Sequence, residues 1–287
     1  MDHSLAPMEV APRIDRLRGR FEEAEIDALL VADLTNIRYL TGFTGSAALL
    51  LVRTDDLLFV TDGRYRDQSS EQLEEAGVEA RIEVHTGPGQ QEAMTAAASG
   101  IARMGLESDR VTWAQALAFT GKWFPDAEAV VPTRALIADL RRVKDIGEQS
   151  RVAAACRVAD DAFEAVKGRL LEGPTEREFA LELEFEMRRR GAEAVSFEPI
   201  VASGPNGAKP HARPGDRRIA PGELVVLDFG AKVHGYCSDM TRTVVVGEPS
   251  AEARRMYDVV MANLLAVAGA ALARAEIDRH EGGQRHG

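Results

Sequence analysis

The sequence predicts two domains of different build, an α/β unit over residues 1–133 and, over residues 134–287, a unit of long helices with an antiparallel hairpin. Three observations lead there. Short apolar runs alternate with helical patterns as far as Val131, the signature of a sheet covered on both faces. The pattern changes near Pro132–Leu140, and two long amphipathic helices follow. Glu223–Gly247, ELVVLDFGAKVHGYCSDMTRTVVVG, then reads as two apolar strands joined by a turn, with one aspartate in each.

The elements follow in order. Residues 9–25 place Ile14, Leu17 and Phe21 on one helical stripe, and Ala28–Val31 is a short buried strand. Asn36–Ser46, rich in Gly and Thr, reads as a turn region. Ala47–Val52 and Leu57–Val60 form a hairpin around Thr54-Asp55-Asp56. Tyr65–Ala76 reads as a helix, Glu79–Val84 as a strand, Gln90–Arg103 as a helix, Gly105–Glu107 as a strand, Trp113–Trp123 as a helix and Ala129–Val131 as a last strand. No Gly-rich phosphate loop interrupts this part, so it is expected to carry little chemistry. In the second part, Gly147–Leu171 is a long helix, and Thr175 with Glu178 forms a capping box that opens another to Arg190. Ser196–Ala202 is a strand, and Ser203–Gly222, rich in Gly and Pro, is loop. Ser250 caps a final helix, Ala251–Arg274, and the tail EIDRHEGGQRHG has no apolar period and is expected to fray.

Composition narrows the function classes. With 287 residues and 45% hydrophobic content the chain can bury a core in each of two domains. A net charge of −11 lacks the electrostatic footprint of a nucleic-acid binder. The two cysteines, Cys156 and Cys237, form no framework, which suits a reducing cytoplasm. The N-terminus shows no signal-peptide pattern, and the most apolar windows are strand-length, so no membrane span is expected.

The candidate site is the hairpin. A two-residue loop at Val233-His234 would set Lys232 opposite Gly235 and Asp228 directly opposite Asp239. Opposed residues share a face, with Cβ atoms about 4.5–5.5 Å apart, and two carboxylates that close need compensation. A hard divalent cation supplies it. Val226, Thr241 and Thr243 would share that face. Either aspartate could equally sit at a solvated strand end, and a bulge would turn one of them to the other face.

Ser196–Ile219, SFEPIVASGPNGAKPHARPGDRRI, followed by Leu224–Val244, LVVLDFGAKVHGYCSDMTRTV, resembles the catalytic domain of the proline peptidases, aminopeptidase P and prolidase. These share the pita-bread fold with methionine aminopeptidase and creatinase. Arg13–Gly45 resembles the start of the creatinase-type N-terminal domain, and Leu140–Glu148, LRRVKDIGE, the junction where the catalytic domain begins. The N-terminal domain argues against methionine aminopeptidase, and the two aspartates argue against creatinase.

The resemblance implies an α/β N-terminal domain followed by an α+β pita-bread domain. It implies two divalent metal ions, manganese, cobalt or zinc, held in the family by two Asp, one His and two Glu. Asp228 would ligate one ion and Asp239 bridge both. His211, in KPHARP, matches the family's loop histidine beside the scissile carbonyl. The family's other His and its two Glu follow the helix that ends here near Arg274, so the resemblance implies a C-terminally truncated, incomplete site. His280, Glu281 and His286 lack the family's spacing. The implied activity is hydrolysis of Xaa-Pro peptides in the cytoplasm, with a proline-containing peptide as partner, and the family's dimers and tetramers leave the assembly open, a homodimer among the choices. The alternative is a catalytically inactive relative that binds a peptide or partner, or has no independent function.

Overall fold

The computed structural model describes residues 5–283, with side chains described through Val267. Its contacts divide the chain into two compact units at Gln149/Ser150.

The first unit contains α1 (Pro12–Arg18), β1 (Ala28–Val31), α2 (Leu34–Thr41), β2 (Ala48–Arg53), β3 (Leu57–Thr61), α3 (Arg66–Glu75), β4 (Arg81–Val84), α4 (Pro88–Ala97), β5 (Arg103–Glu107), α5 (Trp113–Ala118), β6 (Ala129–Thr133) and α6 (Leu136–Arg142). One six-stranded sheet runs in the order β4-β3-β2-β1-β5-β6. The β1–β2 and β2–β3 pairs are antiparallel, and the other neighbours are parallel. β1 is buried throughout, as a central strand covered on both faces must be. One face carries Leu29, Leu50, Val52 and Phe59 against Ile14, Leu17, Ile37, Leu40, Leu73 and Ile137. The other carries Ala28, Leu30, Leu51 and Val60 against Met94, Ala97 and Phe119.

Where a turn region is expected after Asn36, the chain forms α2. Asp33 accepts the Asn36 backbone N–H at its start, and Gly42 ends it at φ 77°. The expected boundary at 133/134 and the division at 149/150 differ by the segment of α6, whose Ile137 packs into the first core. Arg13, only 1% exposed, ties the end of this unit to α1. Its guanidinium donates to Asp145 Oδ2 at 2.7 Å and to the Tyr39 carbonyl at 2.7 Å.

The second unit contains α7 (Ile146–Val166), α8 (Glu176–Arg189), β7 (Ala194–Val195), β8 (Ile200–Ser203), β9 (Leu224–Phe229), β10 (Ala231–Val233), β11 (Tyr236–Cys237), β12 (Met240–Val245) and α9 (Ala251–Gly283). The Thr175–Glu178 capping box that opens α8 is formed in both directions. The helix after Ser250 continues to Gly283. Two three-stranded sheets result, β12-β9-β8 and β11-β10-β7. Val225, Leu227 and Phe229 point from β9 into a core with Ala159, Phe163, Phe179, Leu183 and Met187 of α7 and α8. Among the described residues no helix is long and apolar enough to cross a membrane.

Candidate active site

Helices cover one face of the β12-β9-β8 sheet and leave the other open. β9 alternates strictly, with Val225, Leu227 and Phe229 buried and Leu224, Val226 and Asp228 half-buried on the opposite side. The open side also carries Thr241 and Thr243 from β12 and Ile200 and Ala202 from β8, the partners of Asp228 and Val226. Toward α9 it borders a cleft of about 780 Å³ lined by Val226, Thr241, Thr243, Tyr257, Val260 and Leu264.

The hairpin register differs from the expected one. The loop is His234-Gly235, with φ of 48° and 83°, and Val233 pairs with Tyr236. Val233-His234 fails as the loop because both central residues of this turn need positive φ, which a β-branched valine resists. Asp228 therefore lies opposite Thr241, not Asp239. The pairings of β10 with β11 and of β9 with β12 share one register, so no residue is inserted between them and Asp239 falls opposite Gly230. A Cβ at Gly230 would meet the Ser238 carbonyl oxygen at 2.0 Å, so the two backbones cross too closely there for any side chain. The shift is two residues, and strand faces repeat every two. A regular ladder would thus put Asp239 on the side of Asp228 and Thr241, as a diagonal rather than a direct neighbour at about 7–8 Å, and Asp239 itself lies in the break between β11 and β12. Asp228 is oriented from across the sheet: Thr241 Oγ1 donates to its Oδ1 at 2.9 Å. Asp239 is exposed.

His211 sits in the long connection between β8 and β9, which opens with a 3₁₀ turn over Gly204–Ala208. Ala212 N–H donates to the Lys209 carbonyl at 3.2 Å, closing a turn with His211 at its third position. The exposed imidazole lines a recess of about 160 Å³ with Glu198, Pro199, Ile200, Arg213 and Pro214. Ile200 is the residue paired with Asp228, which sets the histidine loop beside the aspartate's strand position.

Residues 13–143 match the creatinase/prolidase N-terminal domain, and residues 150–279 match metallopeptidase family M24. The uncharacterized peptidase YqhT of Bacillus subtilis is 40% identical over 86% of this chain and 69% of its own length. The chain belongs to metallopeptidase family M24. Among solved structures, an Xaa-Pro dipeptidase from Bacillus anthracis matches this M24 chain with a TM-score of 0.81 and 38% identity, over 87% of this chain and 68% of its own. An X-Pro aminopeptidase from Thermotoga maritima matches at 0.75 and 31%, over 87% and 69%. The fold is therefore the α/β domain followed by the α+β pita-bread domain of prolidases and aminopeptidase P.

Two further features of the M24 unit bear on the site, and the sequence points to the second of them alone. Glu176 is fully buried at the first turn of α8 and accepts hydrogen bonds from Ser203, Asn206 and Gly215. Burial alone would raise its carboxyl, but those donors outweigh it and hold it below the ordinary glutamate value. The other feature is the number of metal ligands. Carboxylate oxygens suit a hard divalent ion, so Asp228 and Asp239 fit in kind. Yet among the described residues no group of three or more His, Cys, Asp and Glu gathers in one place. His280, Glu281 and His286 lie outside the described side chains. His234 is exposed at the hairpin tip, and His85 is spent on Glu83 at 2.9 Å.

Proposed function

We propose that this chain carries the first carboxylate pair and the histidine loop of an Xaa-Pro metallopeptidase. The observation that supports this best is the shared register of the two ladders, by which Asp228 and Asp239 would share the open sheet face while the opposite face is core. Asp228 and Asp239 would hold a divalent ion, which when bound supplies an activated water and polarises the substrate carbonyl. His211 would present a ring N–H to the carbonyl oxygen as it gains charge, and it is not itself a ligand. Proline at the leaving side suits a shaped pocket because its ring fixes φ and removes the N–H that other residues offer.

A second reading is a non-hydrolytic peptide or partner binder, favoured by the absence of a larger ligand group among the described residues. The two separate in one assay. Incubate the protein with Mn²⁺ and an Ala-Pro or Gly-Pro peptide, and follow both cleavage and peptide binding. Cleavage that falls by about 10²-fold or more in His211→Ala, with Mn²⁺ content unchanged, is the result expected of a group acting on the carbonyl. Binding without cleavage selects the second reading. Equal loss of metal in His211→Ala would make His211 a ligand.

A further inference from the structure

We propose that Glu176 is a positioning residue for His211, its carboxylate tying down both ends of the loop that carries the histidine. The inference rests on reading His211 as the group that meets the substrate, and it adds a residue outside the open sheet face.

Glu176 Oε1 accepts from Ser203 N at 2.8 Å, Ser203 Oγ at 2.8 Å and Asn206 Nδ2 at 3.0 Å. Its Oε2 accepts from Asn206 Nδ2 at 3.1 Å and Gly215 N at 3.2 Å. Ser203 ends β8 and Asn206 lies in the 3₁₀ turn that follows, whereas Gly215 stands beyond His211. One buried carboxylate thus grips the chain on either side of the histidine. The grip reaches the turn itself: Asn206 Oδ1 accepts from Lys209 Nζ at 2.8 Å, Lys209 N donates to the Asn206 carbonyl at 2.9 Å, and the Lys209 carbonyl receives Ala212. The backbone repeats the link, with Glu176 N donating to Arg217 O and Arg177 N to Gly215 O, both at 3.0 Å. Arg217 also donates to Ser203 Oγ at 2.5 Å and pairs with Glu223, closing the network at the start of β9.

Every group facing this carboxylate presents a hydrogen. A glutamine has one acceptor oxygen, and its NH₂ would meet donors on the other side. Burying a charge is costly unless hydrogen bonds compensate it, and here the compensating groups all belong to the histidine loop or its hinges. A staple for the unit as a whole would have no need to gather donors from that segment.

The test uses the full chain with Glu176→Gln and Asn206→Ala, read by hydrogen–deuterium exchange and by the NMR signals of the His211 ring. In Glu176→Gln, exchange across residues 204–215 is expected to rise about tenfold over any rise in α7 or β9, and the His211 signals to move. Asn206→Ala, which keeps the carboxylate, should give a smaller rise confined to the same segment. If Glu176→Gln does not fold, Asn206→Ala decides alone: a local rise supports the proposal, and none overturns it. Unchanged exchange over 204–215, or a rise spread evenly over the second unit, overturns it as well. Where Xaa-Pro cleavage is measurable, Glu176→Gln should lower kcat more than it raises KM and should add nothing to His211→Ala. If the wild-type chain cleaves nothing, the peptidase reading fails, while exchange and NMR still judge the positioning role.

Discussion

Thr241 acts on a single carboxylate. It holds one oxygen of Asp228 from across the hairpin, and under the proposed function the other would face the ion. Groups that orient a metal-binding carboxylate matter nearly as much as the carboxylate itself, so Thr241→Val should weaken Mn²⁺ binding about tenfold. Isothermal titration calorimetry measures it, with Thr243→Val, two pairs further along β12, as the control expected to leave affinity unchanged. The two aspartates stood out in the sequence as charges within an apolar hairpin, and His211 through its match to the family's loop histidine. Glu176 did not. It reads as an ordinary acidic residue in the first turn of a helix, and only the return of the chain from β8 to Gly215 buries it.

At the scale of elements, the pattern of apolar residues carried most strands and helices to within a few residues, because both periods are set by which side meets a core. It failed where local chemistry was weighed wrongly. Gly42 and Gly45 made Asn36–Ser46 look like a turn, although Asp33 and Gly42 are the two caps of α2. The hairpin loop moved because Gly235 rather than Val233 accepts positive φ, and a register shift of two residues leaves strand faces unchanged. The caps and staples also carry a pH signature. Burial would raise Asp145, but the Glu148 N–H and Arg13 outweigh it and hold it low, as the loop donors do for Glu176. A carboxyl depressed in the folded state adds stability above its unfolded value and loses it as pH falls through the folded one. Glu107 runs the other way: burial pushes it up against the donors of Ala32, Asp33 and Asn36, so its contribution is present at low pH and fades as pH rises through its folded value. The second unit, which contains Glu176, should therefore show the cleaner acid loss. Its urea midpoint is expected to fall as pH drops below about 4.3, and Glu176→Gln, though less stable at neutral pH, should show a flatter fall.

Across the whole molecule, the two units bury their sheets differently. The first buries both faces of its sheet and spends its polar groups on caps and on the Arg13 anchor. The second covers one face of a small sheet with α7 and α8 and leaves the other with Asp228, threonines and an apolar cleft. A buried charge at Glu176 braces the loop beside that open face. If the face is a cation site, the two aspartates must act together and from the same side. The most direct measurement is a Mn²⁺ titration of the full chain by electron paramagnetic resonance, in wild type, Asp228→Asn and Asp239→Asn. With Asp228 and Asp239 as its carboxylate ligands among the described residues, wild type should bind weakly, and each substitution should cost about tenfold or more in affinity. Equal affinity in all three proteins would contradict the site, whatever the family to which the chain belongs.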